Sequence, residues 1–256
     1  MTDLEEVPPV PTVGFLYPGY SAEDDYPTFE RMLGNVRLVV RHTLMRTDAH
    51  EVNALLDIGG EDVLGEGADA LRAQGVDAAV WACTSGSFVF GWDGAEAQVE
   101  GVRTASGVPA SSTSFAFVNA CRALDVRRVA VAATYPRDVA SRFVEFLGHV
   151  GIEVTSLSYE GIFTAAEVGT LTREQVIDFV AANDHPDAEA VLVPDTALHT
   201  ADCLEDLETR IGKPVLTANQ VTVWEGLRLI GDHSTREGLG TLFRCGDRGT
   251  TGVRPS

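Results

Sequence analysis

The sequence has few basic residues. Lys and Arg together number 19 against 38 Asp and Glu, which gives a formal net charge of −19 at pH 7. A chain this acidic repels the phosphates of nucleic acids and of anionic membranes, so we expect neither as a partner. If the substrate is itself a carboxylate, local N–H and hydroxyl donors must overcome the repulsion of the whole molecule.

Cysteines and long apolar runs are also scarce. The four cysteines are widely spaced and form no C-x-x-C pair, which argues against a zinc site or a disulfide framework. No stretch approaches eighteen apolar residues, and residues 1–11 carry acids and prolines where a signal peptide needs a basic start and an apolar core. We therefore expect a cytoplasmic protein without metal or membrane segment.

What the sequence does contain is a cysteine at the end of an apolar strand. Residues 77–88 read DAAVWACTSGSF, so a short apolar run leads to Cys83 and then to Thr84 and Ser85. In an open α/β sheet this position opens into the ligand crevice, where hydroxyls and backbone N–H groups bind anions. A thiol at a helix start should ionise readily. The alternatives are a buried core cysteine and a helix cap of Thr84 and Ser85.

The two halves of the chain repeat each other. TVGFLYPG matches RVAVAATYP, DAAVWACTSGS matches AEAVLVPDTAL, and GVPASSTSFAFVNACRAL matches GKPVLTANQVTVWEGLRLI, in the same order. The repeat makes Cys83 and Asp195 equivalent in position. Two copies of one α/β unit can face each other across a cleft, which is a favoured place for small-molecule sites.

This pattern predicts an α/β fold with two Rossmann-like (flavodoxin-like) lobes, related by a pseudo-twofold axis, with parallel sheets and the active-site cleft between them. We expect residues 12–125 together with 215–231 to form the first lobe and 126–214 the second. Residues 1–11 and 246–256 should be flexible tails. The polar stretch around 91–100 predicts a loop or a short helix.

Three motifs resemble the aspartate/glutamate racemase superfamily, in its branch of maleate cis-trans isomerases and arylmalonate decarboxylases. They are ACTSGS at 82–87, ATYP at 133–136 and PDTALHT at 194–200. Two departures stand out. The family has a second cysteine where this chain has Asp195, and maleate isomerases have an asparagine after strand 1, where residues 18–21 read PGYS.

The resemblance implies chemistry without metal or coenzyme, performed by two groups on opposite sides of a small carboxylate. Cys83 would be the nucleophile, and Asp195 would carry the proton if burial and the substrate's charge favour its protonated form. For Tyr135 the alternative is a core aromatic residue. His199 is expected to be structural rather than an orienting partner of Asp195. The predicted substrate contacts are Thr84, Ser85, Tyr135, Thr196 and Tyr20.

The leading prediction is a cis-trans isomerase of the maleate isomerase kind. The first alternatives are a decarboxylase, which by resemblance carries glycine at the first cysteine position and a proton-donating cysteine at the second, and an amino-acid racemase. A carboxylate-binding protein without catalysis is the alternative from another class. The expected partner is a small dicarboxylate or substituted malonate, and assembly into a homo-oligomer is left open.

Overall fold

A computed structural model describes residues 10–246, in which eight strands form two parallel four-stranded sheets. The strands are β1 Thr12–Pro18, β2 Arg37–Thr43, β3 Ala78–Trp81, β4 Ala110–Ser112, β5 Arg128–Ala133, β6 Glu153–Tyr159, β7 Ala190–Val193 and β8 Val215–Thr217. The strand order is β2-β1-β3-β4 in the first sheet and β6-β5-β7-β8 in the second. The same order in both sheets confirms the predicted α/β duplication.

Twelve helices flank the sheets within the described part of the chain. They are α1 Asp25–Leu33, α2 Val52–Ile58, α3 Glu61–Ala73, α4 Ser85–Phe88, α5 Gly91–Ser106, α6 Thr113–Leu124, α7 Arg137–Gly148, α8 Ala165–Val168, α9 Arg173–Ala182, α10 Leu204–Ile211, α11 Ala218–Leu229 and α12 Thr241–Arg244. Within residues 10–246, no helix is both long and apolar enough to cross a bilayer.

The helix α5 is longer than the sequence predicts. The stretch around 91–100 was expected to be a loop or a short helix, yet α5 has 16 residues. Its glycines and polar residues give it a low intrinsic helix propensity. Tertiary packing compensates, because Ala95 and Val102 are fully buried and α5 packs along α3.

The central strands bring the reactive loops to corresponding edges of the two sheets. In β3 and β7 every residue is buried, as expected for parallel strands covered on both faces. The strand β3 pairs with β1 through Phe15 and Val80, and β7 pairs with β5 through Val131 and Leu192. The loops after these strands therefore emerge at the carboxyl edges, where open α/β sheets bind ligands.

The C-terminal segment connects the two lobes. The strand β8 pairs with β7 through Val191 and Val215, which differs from the predicted assignment of all of 215–231 to the first lobe. The following helix α11 does pack on the first sheet, and a Cβ added at Gly226 would lie 2.6 Å from a methyl carbon of Val13. Of the predicted tails, residues 1–9 and 247–256 lie outside the described residues.

Candidate active site

The two residues predicted to be reactive line one cavity. Cys83 is the second residue after β3, and Asp195 is the second after β7. Both are buried, with 4% of each residue exposed. The cavity between the lobes is also lined by Tyr17, Pro18, Ser21, Met45, Thr47, Asp48, Ala49, His50, Leu55, Ile58, Ser85, Ala165, Thr196 and Ala197. The structure thus brings the equivalent positions of the two halves together.

Cys83 is a neutral thiol at ordinary pH. Burial raises the pKa of Cys83 to about 12, and the nearby charge of Asp195 adds to the rise. The N–H of Gly86 donates to Sγ at 3.3 Å and the Ser85 hydroxyl lies 3.9 Å away, and both lower the pKa of Cys83 without offsetting burial. Because desolvation disfavours the thiolate, the expectation of a readily ionised thiol is reversed.

Asp195 is surrounded by hydrogen-bond donors. The hydroxyl of Thr134 donates to Oδ2 in a short hydrogen bond, and the N–H of Ala197 donates to Oδ1 at 2.9 Å. The imidazole Nε2 of His50 lies 4.0 Å from Oδ2. The hydrogen bonds from Thr134 and Ala197 hold the Asp195 side chain in one orientation.

Of the five predicted substrate contacts, two line the cavity and three do not. Ser85 and Thr196 line the cavity. Thr84 is fully buried, and its hydroxyl caps no helix and has no hydrogen-bond partner among the described residues. The Tyr135 hydroxyl is already engaged, because it donates to the backbone oxygen of Pro194 at 2.7 Å.

Tyr20, the fifth predicted contact, lies away from the cavity. Its side chain is 75% exposed and stacks on the His42 ring with centroids 4.3 Å apart. His199 also lies elsewhere, because its Nε2 lies 2.8 Å from an oxygen of Asp24 rather than next to Asp195. The prediction of a structural role for His199 agrees with this contact.

Three residues that line or support the cavity were not singled out from the sequence. Tyr17 lies near the carboxyl end of β1. Its hydroxyl donates to the backbone oxygen of Thr196 at 2.9 Å. Thr134 follows β5 directly, so the rule that ligands gather at strand ends would have found it. His50 lies in the loop between β2 and α2, where no local pattern marks it.

The loop 44–51 closes the cavity against the second lobe. The carboxylate of Asp48 accepts the N–H groups of Ala165 at 2.8 Å and Ala166 at 3.0 Å. The N–H of His50 donates to the Phe163 oxygen at 2.7 Å. The free space in the cavity is about 30 Å³, which is large enough for a water molecule or two. The contacts of Asp48 and His50 with the second lobe therefore position this loop along the cavity wall.

The cavity lining contains both acidic and apolar side chains. Asp48 and Asp195 supply the carboxylates, whereas Met45, Leu55 and Ile58 supply the apolar surface. No Lys or Arg is among the residues that line the cavity. Within residues 10–246, no group of three or more His, Cys, Asp or Glu side chains is arranged to hold a metal ion.

Comparison with known proteins places this geometry in a family. The family model for arylmalonate decarboxylase matches residues 57–243. An arylmalonate decarboxylase from Bordetella bronchiseptica is 35% identical over 179 residues, which cover 68% of this chain and 73% of the relative. The chain belongs to the arylmalonate decarboxylase family. The resemblance drawn from the three motifs is thereby confirmed.

Solved structures that resemble this chain include an arylmalonate decarboxylase and a maleate isomerase. A liganded arylmalonate decarboxylase variant, with a glycine changed to cysteine and a cysteine changed to serine, superimposes with a TM-score of 0.81. It is 27% identical, over 91% of this chain and 98% of that one. A second structure is a maleate cis-trans isomerase variant from Nocardia farcinica with a covalently bound succinylcysteine intermediate. It is 23% identical over 91% of this chain and 98% of that one, and the TM-score of 0.82 shows that the two share the fold. The prediction of an enzyme of this branch is confirmed.

Proposed function

We propose that the chain is a cofactor-independent decarboxylase of 2-substituted malonates in which Cys83 donates the proton. The observation that carries the proposal is the neutral, desolvated thiol at the end of β3, whose pKa is raised to about 12 by burial. A proton donor must hold its proton before the reaction, whereas a nucleophile must have lost it. The site therefore favours decarboxylation over the isomerisation that leads the sequence-based predictions.

The reaction needs two steps. The bond between the central carbon and one carboxylate breaks, carbon dioxide leaves, and the electron pair stays on an enediolate. The central carbon of the enediolate then takes the proton of the Cys83 thiol, which leaves a thiolate that solvent reprotonates. A carboxylate held against the apolar walls formed by Met45, Leu55 and Ile58 loses solvation, which favours its departure as neutral carbon dioxide.

The roles of the other cavity residues follow from their positions. The Ser85 hydroxyl and Thr196 line the cavity and would hold the carboxylate that stays on the substrate. Loss of one such donor costs on the order of 3 kcal/mol of barrier, or roughly a hundredfold in rate. Burial raises the pKa of the Cys83 thiol, and the charge of Asp195 adds to that rise, so both favour the protonated thiol. Thr134 holds Asp195 in place.

The decarboxylase variant with exchanged cysteine supports this arrangement. By resemblance, decarboxylases have glycine at the position of Cys83 and a proton-donating cysteine at the position of Asp195. The liganded variant has gained one cysteine in place of glycine and lost another to serine. If these are the two family positions, its pattern is that of the present chain, in which the proton donor stands on the first lobe.

The test is decarboxylation of phenylmalonate in deuterated water, followed by proton NMR. We expect loss of carbon dioxide and phenylacetate with deuterium at the α-carbon. The Cys83→Ala variant should lose about a hundredfold to ten-thousandfold in rate, the range of a general acid. The matched control is Cys245→Ala, because Cys245 does not line the cavity. Full turnover by Cys83→Ala, or no release of carbon dioxide from phenylmalonate and alkylmalonates, would refute the proposal.

Cis-trans isomerisation is the second candidate. The N–H of Gly86 at 3.3 Å from Sγ would stabilise a Cys83 thiolate once one forms. That thiolate would add to the double bond of maleate. The resulting single bond would then rotate, and elimination of the Cys83 thiolate would restore the double bond in the trans form. The isomerase with a succinylcysteine intermediate supports such a step. Formation of fumarate from maleate, with a succinyl adduct on Cys83 detected by mass spectrometry, would favour this candidate over the first.

A further inference from the structure

His50 is fixed in one orientation by the second lobe. Its backbone N–H donates to the Phe163 oxygen at 2.7 Å, and its Nδ1 lies 2.8 Å from the Ile162 oxygen. A carbonyl oxygen only accepts hydrogen bonds, so Nδ1 carries a hydrogen. The side chain is 6% exposed, which leaves it little freedom to turn. The tautomer is therefore set by a partner outside the cavity.

The other ring nitrogen faces Asp195. The distance from Nε2 to Oδ2 is 4.0 Å, within ion-pair range and beyond a direct hydrogen bond. If the ring were neutral, the lone pair on Nε2 would face a buried carboxylate that already accepts hydrogen bonds from Thr134 and Ala197. Two such groups repel each other in a site of low dielectric constant. A second proton on the ring, at Nε2, turns this repulsion into attraction.

The cavity has two carboxylates in its lining and no permanently charged cation. Asp48 and Asp195 line it, no Lys or Arg does, and the full chain carries a net charge of −19. His50 is the one lining residue with a side chain that becomes cationic near neutral pH. The other titratable groups at the cavity, the Cys83 thiol and the phenol of Tyr17, are neutral when protonated. The phenol ring of Tyr135, which is neutral too, meets the His50 ring edge to face at 5.0 Å.

We propose that His50 is the imidazolium that binds a substrate carboxylate in this cavity, held in place by the Ile162 oxygen and balanced by Asp195. The choice of a malonate as substrate rests on the proposed function. The assignment of the charge rests on the contacts of His50 and on the acidic side chains that line the cavity. His50 is accordingly a substrate-binding residue, and its removal should weaken substrate binding more than it slows turnover.

The first experiment compares the kinetics of phenylmalonate decarboxylation in the wild type and His50→Gln between pH 5 and pH 9. We expect the variant to raise KM about tenfold to a hundredfold, the value of a hydrogen bond to a charged group, with a smaller change in kcat. His42→Gln is the matched control, because His42 also binds a carbonyl oxygen through Nδ1 but does not line the cavity.

A second experiment does not depend on turnover. Nitrogen-15 NMR of labelled protein reports the protonation of each ring nitrogen directly. We expect the His50 ring to carry hydrogen on both nitrogens at pH 6.5 in the wild type and on Nδ1 alone in Asp195→Asn. A neutral His50 ring in both proteins, or a His50→Gln variant with the KM of the wild type, would overturn the assignment. If phenylmalonate is not decarboxylated, the proposed function fails and the NMR result alone decides on the charge.

Discussion

The protonation of Cys83 is the prediction on which the proposed chemistry depends most directly. A free thiol has a pKa of about 8.5 to 9, whereas burial raises the pKa of Cys83 to about 12. The difference of about 3 units corresponds to about 4 kcal/mol in favour of the thiol. At pH 7.5 the thiolate fraction is then roughly a thousandfold lower than in a free thiol.

Alkylation by iodoacetamide measures this fraction through the shape of its pH profile. The small cavity slows the reagent at every pH, so the absolute rate is not informative. The rate should rise with pH wherever the thiolate fraction rises. Mass spectrometry of the peptides separates Cys83 from the other cysteines, and glutathione serves as the reference thiol. We expect the alkylation rate of Cys83 to increase further between pH 10 and pH 11, a range in which the alkylation rate of glutathione no longer changes.

The variant Asp195→Asn tests the cause. Its amide is close in size to the carboxylate and removes the negative charge that adds to the raised pKa of Cys83. The alkylation profile of Cys83 should therefore move to lower pH in this variant. If the alkylation rate of Cys83 in the wild type levelled off between pH 8 and pH 9, the reasoning would be refuted, because Cys83 would then have the pKa of an ordinary thiol. An unchanged profile in Asp195→Asn would refute the electrostatic part alone.

Two further predictions concern contacts between the lobes. Burial raises the pKa of Asp25 to about 6, so its contribution to stability is complete below about pH 4 and is lost as pH rises through 6. In urea unfolding, the free energy of unfolding of Asp25→Asn relative to the wild type should increase by about 3 kcal/mol from pH 3.5 to pH 7.5. A difference between the two proteins that does not change with pH would contradict this prediction. Asp48→Asn keeps one of two acceptors for the N–H groups of Ala165 and Ala166. Loss of about 1 kcal/mol should speed hydrogen exchange at Ala166 roughly fivefold, and an unchanged rate would show that Asp48 does not hold the loop closed.

Much of the architecture is readable from the chain alone. The apolar runs at β1, β3, β5 and β7 are long enough and uniform enough to predict buried parallel strands. Their repetition predicts two equivalent lobes. Because side chains after such strands gather at the carboxyl edge, the meeting of Cys83 and Asp195 in one cavity also follows from the sequence.

Other features depend on packing that no local pattern records. The length of α5 is an example, since its contact with α3 outweighs its glycines and polar residues. The path of the C-terminal segment is another, because β8 extends the second sheet while α11 lies on the first. Tyr20 was predicted to contact the substrate, but it is largely exposed and its ring stacks on His42.

The sequence by itself determined the family, the duplicated fold and the identity of the two equivalent residues that line the cavity, Cys83 and Asp195. Only the tertiary structure decided their chemical state. Whether Cys83 holds its proton depends on how fully the two lobes exclude water, and this is a property of the closed cavity. The same holds for His50, whose partners lie in the second lobe, far along the chain, and determine which of its nitrogens faces Asp195.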